Sequence, residues 1–403
     1  MFTQRIPLLK DCHNHPLFYT SLHNRSIDIR YIKDKNIALN LFKDLNPNKI
    51  SIILGWLNNY YTFSNNELDR YGPLIIFNSS MHSFILNTPA KEILKTKYPV
   101  LIDNCNNEIW VEKNLTMVLD FVVAISSPDI NALKFFYDYL LGLGIYYAEE
   151  MTLHNEQEIT LFEEADLSHR TRFWTSPASY EKFNPEIKEK THGVKLFIDG
   201  AMGARTAKLK YGYRDNRTGI LNYTKRELYE VLSKIQGFNK PISLHAIGDE
   251  AIDLAVNTVS SMNAFPDVRI EHALLISKDT AKRAKDHGIK LCMQPNFSIE
   301  TKNYADRLNS KYCESINPFR MLIDEIGYRA GDDLIFGSDG MPHGVKNALE
   351  MSLYPPLDKQ RLKIEEVIDG YCMEGFSHGS IDVKVDKQSK KIECEINISQ
   401  RAL

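Results

Sequence analysis

Five side chains in this sequence, His13, His15, His245, His272 and Asp339, have the types and the placement to gather a metal ion. His13 and His15 lie in Asp11-Cys12-His13-Asn14-His15-Pro16, directly after the apolar run Ile6, Pro7, Leu8, Leu9. Residues two apart in a strand point to the same side, so both imidazoles can face one ion. Alone the pair is weak: with twelve histidines a His-x-His arises readily by chance, and a solvated pair at a strand end is the plain alternative. Lys195, His245, His272 and Asp339 each fall in or at the C-terminal end of a separate strand-like run. A single histidine in such a place is more often a hydrogen-bonded structural residue. Convergence of the whole set on one end of one sheet is far harder to reach by coincidence.

The elements that must position them follow from periodicity. Short apolar or β-branched runs at residues 7–11, 73–77, 144–149, 193–198, 241–244, 268–272, 289–294 and 334–336 read as strands. Between them lie helical patterns. Thr224 and Glu227 form a capping box ahead of Leu228, Val231, Leu232 and Ile235, with Gly237 as the stop. Ile252, Ala255, Val256 and Val259 make one face of a helix over 249–262, and 278–287 is a helix closed by Gly288. Strand-helix repetition calls for parallel strands joined by right-handed crossovers. The expected fold is an α/β (β/α)₈ TIM barrel, whose active sites form at the C-terminal ends of the strands. His245 and His272 are 27 residues apart, one strand-helix unit, and so belong to adjacent strands. Ile381, Val383 and Val385 alternate, a turn falls at 386–389, and 392–398 runs on as a second strand. The expected organisation is a barrel over residues 1–354 and a C-terminal helix and reduced β-hairpin appendage over 355–403.

The pattern His-x-His on the first strand, Lys on the fourth, His on the fifth and sixth and Asp on the eighth resembles the amidohydrolase superfamily. The phrase Val194-Lys195-Leu196-Phe197-Ile198-Asp199-Gly200-Ala201-Met202-Gly203-Ala204-Arg205-Thr206-Ala207 resembles the N-substituted formamide deformylase-like branch, as do His245-Ala246-Ile247-Gly248-Asp249, Ile270-Glu271-His272, Gln294-Pro295 and Gly337-Ser338-Asp339. Weaker matches are the stretch from Ile53 to Trp56 and Ser80-Met81-His82.

The resemblance implies a metal-dependent hydrolase cleaving an amide or related C–N bond of a small molecule. His13, His15, His245, His272 and Asp339 would be ligands of a divalent ion, zinc first, present as one or two ions per chain. Lys195 would join them only as N6-carboxylysine; as an ammonium it would pair a carboxylate or polarise a substrate oxygen. Asp339 would be the general base and acid. His82 would hydrogen-bond the substrate or its oxyanion, with a surface role nearly as plausible. Arg205, Gln294 and Asn296 are substrate-side candidates, Asp199 is a loop organiser, and Glu149 and Glu150 end the third strand in reach of a histidine. His23, His154, His169, His287 and His378 read as structural or solvated.

The chain departs from the family pattern in three places. His13 arrives with little or no N-terminal β-sandwich before it; Asp339-Gly340-Met341-Pro342-His343 replaces the usual Asp-Ala-Pro-Val; and Glu250 stands where arginine is common. Two alternatives stay open: a mononuclear aminohydrolase, disfavoured because Gly248 occupies the position where deaminases carry a proton-transferring glutamate, and a barrel that binds a small ligand without turnover.

Composition sets the outer bounds. The 403 residues are 43% hydrophobic and 25% charged, a globular mixture. Forty-nine basic against 52 acidic residues give −3, with no basic block to favour nucleic acid or an anionic membrane. Six dispersed cysteines without a Cys-x-x-Cys fit reduced thiols. No leader or membrane span is read from the sequence, so the expectation is a soluble, cytoplasmic protein, with a homo-oligomer allowed.

Overall fold

The structure is a computed structural model describing residues 2–23, 26–30, 32–57, 60–78, 81–262 and 265–400. Two strands open the chain, β1 (Phe2–Pro7) and β2 (Leu9–Asn14). An inserted layer follows, with β3 (Ser26–Asp28), β4 (Ser51–Trp56), β5 (Leu74–Asn78) and β6 (Phe84–Leu86). Next come β7 (Ile145–Leu153), β8 (Thr171–Thr175), β9 (Gly193–Phe197) and β10 (Ile242–Ala246). The last strands are β11 (Val268–His272), β12 (Lys290–Met293), β13 (Leu334–Phe336), β14 (Gly379–Asp386) and β15 (Lys391–Ile398).

Strands β2, β7, β8, β9, β10, β11, β12 and β13 form one eight-stranded sheet in that order, each neighbouring pair parallel. This is the expected barrel. Its crossover helices lie where the apolar stripes put them: Lys225–Gln236 begins at the Thr224–Glu227 capping box and buries Leu228, Leu232 and Ile235, and Asp249–Ser260 buries Ile252, Ala255, Val256 and Val259. The ring is closed between β2 and β13 by side-chain and single backbone bonds: the Asp339 N–H donates to His13 O at 2.7 Å, and Ser338 is bonded to Asp11. Gly337 permits that approach, since a Cβ there would stand 2.3 Å from His13 N.

Two strand assignments change. The apolar run at 73–77, expected in the barrel, forms β5 inside a separate four-stranded sheet, β3-β4-β5-β6, over its own small core of Ile29, Phe42, Ile53, Leu68, Leu74 and Ile76. A fully buried strand looks the same to periodicity in either sheet. The unrecognised barrel strand is β8, five residues long, with Arg172 interrupting its apolar run. Glu149 and Glu150 therefore lie on the second barrel strand, β7, and not the third.

The N-terminal expectation is also corrected. β1 pairs antiparallel with β14 along its full length, Phe2 opposite Val385 and Pro7 opposite Ser380, making a three-stranded sheet with β15. The alternation that marks β1 is confined to a few polar residues ahead of Ile6, which hid it in the sequence. A third strand gives the hairpin the partner that an isolated one lacks.

Among the described residues no single helix is long and apolar enough to cross a membrane; Leu115–Ser126 and Ile130–Gly142 reach that composition only together and are bent by 113°. All six cysteines are free thiols.

Candidate metal centre

All six expected ligand positions meet at the C-terminal end of the barrel. His13 lies in β2 with His15 just beyond it, Lys195 in β9, His245 in β10, His272 at the end of β11, and Asp339 three residues past β13. All line one cavity of about 50 Å³. Asp339 Oδ1 is 3.4 Å from His15 Nε2 and 3.7 Å from His13 Nε2. Lys195 Nζ is 3.2 Å from His13 Nε2. The His13 and His272 rings are 4.6 Å apart and those of His245 and His272 4.5 Å. Ligand atoms of His13, His272 and Asp339 fall within 4.8 Å of one another.

A metal needs a neutral imidazole with its free nitrogen aimed at the ion, and the other ring nitrogen held by an acceptor. That arrangement is present. Nδ1 of His13 is held by Glu271 Oε2 at 2.5 Å, of His15 by Thr152 Oγ1 at 3.0 Å and of His272 by Gln294 Oε1 at 2.8 Å. His245 is held from the other side, Nε2 donating to Gly200 O at 3.1 Å, which leaves its Nδ1 as the acceptor. Burial holds all four histidines well below their usual pKa, so they are neutral. The donor set fits a divalent ion such as zinc.

The remaining groups are tuned by burial. It lowers the Lys195 ammonium to about 8 and raises the Asp339 carboxyl to about 7, the latter opposed by Lys195 and His82. His272 and Asp339 both have left-handed backbone, φ 70° and 55°, a conformation that costs non-glycine residues about 1–3 kcal/mol and gathers at functional sites.

Beneath His13 runs a buried ion network absent from the sequence reading. Glu271 also accepts Ser243 Oγ–H at 2.6 Å and pairs with Arg269. Arg269 reaches Glu149 at 2.8 Å, donates to Cys12 O at 3.0 Å and lies over the Trp174 ring at 4.4 Å. Trp174 and Arg172 donate to the same Glu149, at 2.8 and 3.0 Å. On β7, Glu149 thus anchors the arginine, while Glu150 accepts the N–H groups of Leu17 and Thr152 and so shapes the turn carrying His15.

His82 comes from the insertion between β2 and β7 and lines the metal cavity, its ring 5.6 Å from that of His245. Ser80 of the Ser80-Met81-His82 match lies outside the described residues. Both oxygens of buried Glu112 accept from His82 Nδ1, at 3.0 and 3.1 Å. Burial opposes protonation of His82, but Glu112, joined by the more distant Asp339 and Asp199, outweighs it and the pKa is raised. Glu112 was not foreseen; it lies in the short helix Glu108–Lys113, where no motif marks it.

The other expected contacts divide. Asp199 organises its loop, accepting the N–H groups of Ile247, Gly248 and Lys208 at 2.9–3.0 Å. Gln294, expected in the pocket wall, is fully buried with its amide taken up by His272 and Cys292 O. Asn296 donates to Ser338 O and Met341 O, fixing the loop that carries Asp339. Arg205, expected on the substrate side, pairs with Asp215 at 3.3 Å and Asp306 at 3.9 Å and does not line the metal cavity.

The model of the Amidohydrolase family matches residues 111–350, which carry four of the six candidate ligand positions and most of the barrel. The chain belongs to the amidohydrolase family. It is 32% identical over 138 residues to the Bacillus subtilis (strain 168) protein YtcJ, named as a putative amidohydrolase, covering 33% of this chain and 26% of that protein. It is 29% identical over 127 residues to LONG AFTER FAR-RED 3 of Arabidopsis thaliana, covering 30% of this chain and 22% of that one. This chain thus spans about a quarter of the length of the curated relatives it matches. Two solved structures share the fold: metal-dependent hydrolases, both described as uncharacterized, of Pyrococcus horikoshii (22% identity, TM-score 0.65, 87% of this chain and 74% of that one) and Pyrococcus furiosus (21%, 0.64, 91% and 80%).

Proposed function

We propose that this amidohydrolase-family protein is a metal-dependent hydrolase that cleaves an amide or related C–N bond of a small molecule with a metal-activated water. One observation carries the reading: three acceptors hold Nδ1 of His13, His15 and His272, leaving three neutral Nε2 lone pairs and the Asp339 carboxylate for a cation. So many buried polar groups on one point are costly without an ion.

When bound, a divalent ion, zinc being the best match to this nitrogen and oxygen set, supplies a Lewis acid and a water of lowered pKa. The chain supplies the proton transfers. Asp339, with Oδ1 3.4 Å from His15 Nε2 in the same cavity, would be the base that takes the proton of the attacking water and returns it to the leaving nitrogen. His82, gripped at Nδ1 by Glu112, has Nε2 left to donate to the scissile carbonyl oxygen as charge develops there. Carboxylated on Nζ, Lys195 would join the ligand set; burial, which brings its amine to about 8, favours the uncharged form that adds carbon dioxide. The deformylase-like phrases around Lys195 and His245 support placement in that branch.

Deamination is the weaker reading. It would require an acidic side chain at 248, where a Cβ would stand 2.0 Å from Lys208 O, a backbone atom with no freedom to yield.

Asp339→Asn tests the assignment, because asparagine tolerates the left-handed backbone at this position. The metal-loaded variant is expected to keep its far-UV circular dichroism and lose at least ~10²-fold in hydrolysis across a panel of linear and cyclic amides. Near-normal turnover would refute Asp339 as the base.

A further inference from the structure

The cavity over the metal cluster, about 50 Å³, has room for a reacting carbonyl and a water. Small-molecule sites run to about 300 Å³ or more, so the rest of a substrate must extend into a neighbouring space. Neighbouring cavities share wall residues with it. One of about 190 Å³ meets it only at His82, and one of about 510 Å³ only at Met341. A cavity of about 310 Å³ shares Tyr19, Met81 and Met341, so its boundary with the metal site is one aromatic ring and two thioethers, side chains that reshape readily.

Tyr19, His23, Phe136, Tyr139 and His343 put five rings into the wall of that third cavity, beside Leu22, Leu54 and the Asp28–Arg30 pair. Tyr19 and Phe136 are near-parallel, 13° apart with centroids at 6.4 Å; His343 stands edge-on to Tyr19 at 4.8 Å; His23 and Tyr139 are 4.4 Å apart. These spacings are those at which aromatic groups attract one another, so one more ring finds both faces and edges to meet. The acid and the arginine of the wall face one another. Arg30 Nε donates to both oxygens of Asp28 at 3.0 and 2.8 Å. His343 Nε2 is 3.2 Å from Asn14 Oδ1, and burial holds its pKa down to about 3, so it is uncharged. The 510 Å³ cavity is different, with Lys33, Glu300 and Glu350 in its walls.

We propose that the 310 Å³ cavity is the subsite for the non-reacting part of the substrate, and that the substrate is an amide bearing an uncharged planar ring. This rests on the C–N hydrolase reading above. Leu54 on β4 is part of the wall and is half-buried, so bulk added there enters the subsite without disturbing the metal ligands.

Four matched probes decide it: N-benzylacetamide, N-butylacetamide, N-acetylglycine and N-acetylethylenediamine. For each, kcat/KM is measured on the metal-loaded full chain, and Kd by isothermal titration on the same preparation. The expected result is a preference of at least about tenfold for the benzyl compound over the carboxylate and ammonium compounds, with the butyl compound between them. Leu54→Trp should bring that ratio to within about threefold, and Tyr139→Ala, which removes a ring instead of filling the space, should move it the same way. Equal hydrolysis of all four, or preference for a charged probe, would overturn the subsite and leave the hydrolase reading intact. Tight, Leu54-dependent binding of the benzyl probe without turnover of any would uphold the subsite and count against C–N hydrolysis. Neither binding nor turnover would overturn both.

Discussion

Asp11 and Ser338, 327 residues apart in the chain, share two hydrogen bonds: the Ser338 N–H donates to Oδ1 at 2.7 Å and its hydroxyl to Oδ2 at 2.5 Å. They join the first barrel strand to the last where no ladder connects β2 and β13, and each stands beside a metal-ligand candidate or its neighbour. Asp11 also accepts from Asn14 Nδ2 at 2.8 Å, so one carboxylate orders both ends of the seam. Ser338→Ala removes one bond to a buried carboxylate, worth about 1.5–3 kcal/mol. A denaturant titration of the metal-free protein should show that loss, with metal affinity falling in parallel because Asp339 follows in the chain. Unchanged stability would mean that the Ser338 hydroxyl adds nothing to the backbone bonds that hold the seam.

Glu271 links His13 to Arg269, which in turn is held by Glu149. Glu271→Gln keeps the size of the side chain but weakens the acceptor that fixes the His13 tautomer. Loss of such a partner typically lowers metal affinity by about 10–100-fold. Competition against a chromophoric zinc chelator measures this independently of turnover, and wild-type affinity would contradict the assigned role. Glu271→Ala is expected to be far more harmful, at about 3–5 kcal/mol, because Arg269 would lose one of two buried counter-charges.

Glu112 is assigned a positioning role through His82. Glu112→Gln should lower kcat by about 10²-fold with metal content unchanged, and should shift the pH profile of kcat, because His82 loses the carboxylate that favours its protonated form. Glu112→Asp, which restores a carboxylate, should recover part of the rate. An identical pH profile in the Gln variant would show that His82 acts without Glu112.

Glu158 provides a pH effect remote from the metal. Burial raises its carboxyl to about 8, against the pull of the His154 and Asn155 N–H groups and with Asp120 and Glu150 adding to the rise. In the unfolded chain it titrates near ~4.3. The folded state therefore holds the proton more tightly, and stability is lost as pH rises from about 4 toward 8, the opposite sense to an ion-paired carboxylate. Glu158→Gln should flatten that fall in a series of melting temperatures from pH 5 to 9. A variant curve parallel to wild type would contradict the assignment.

The clustering of the six candidate positions was legible because strand-end histidines, the lysine and the aspartate are reactive residue types spaced by whole strand-helix units, as from His245 to His272. What surrounds them was not. Glu112 and His82 come from an insertion whose helices have no motif, and their meeting is decided by packing across the barrel mouth. Gln294 was recognised by position but not by its partner, since only geometry separates an amide that faces substrate from one that holds a histidine. β5 and β8 exchanged places because burial, and not sheet membership, is what an apolar run encodes. β1 was missed because six residues become a recognisable strand only beside β14.

The central claim is that these six side chains hold metal. Elemental analysis of the purified full chain after exposure to zinc, together with a high-resolution view of Lys195, tests it most directly. The account predicts about two ions per chain, added density on the Lys195 amine, and loss of bound metal in His13→Ala. A wild-type protein that binds no metal under those conditions would contradict it.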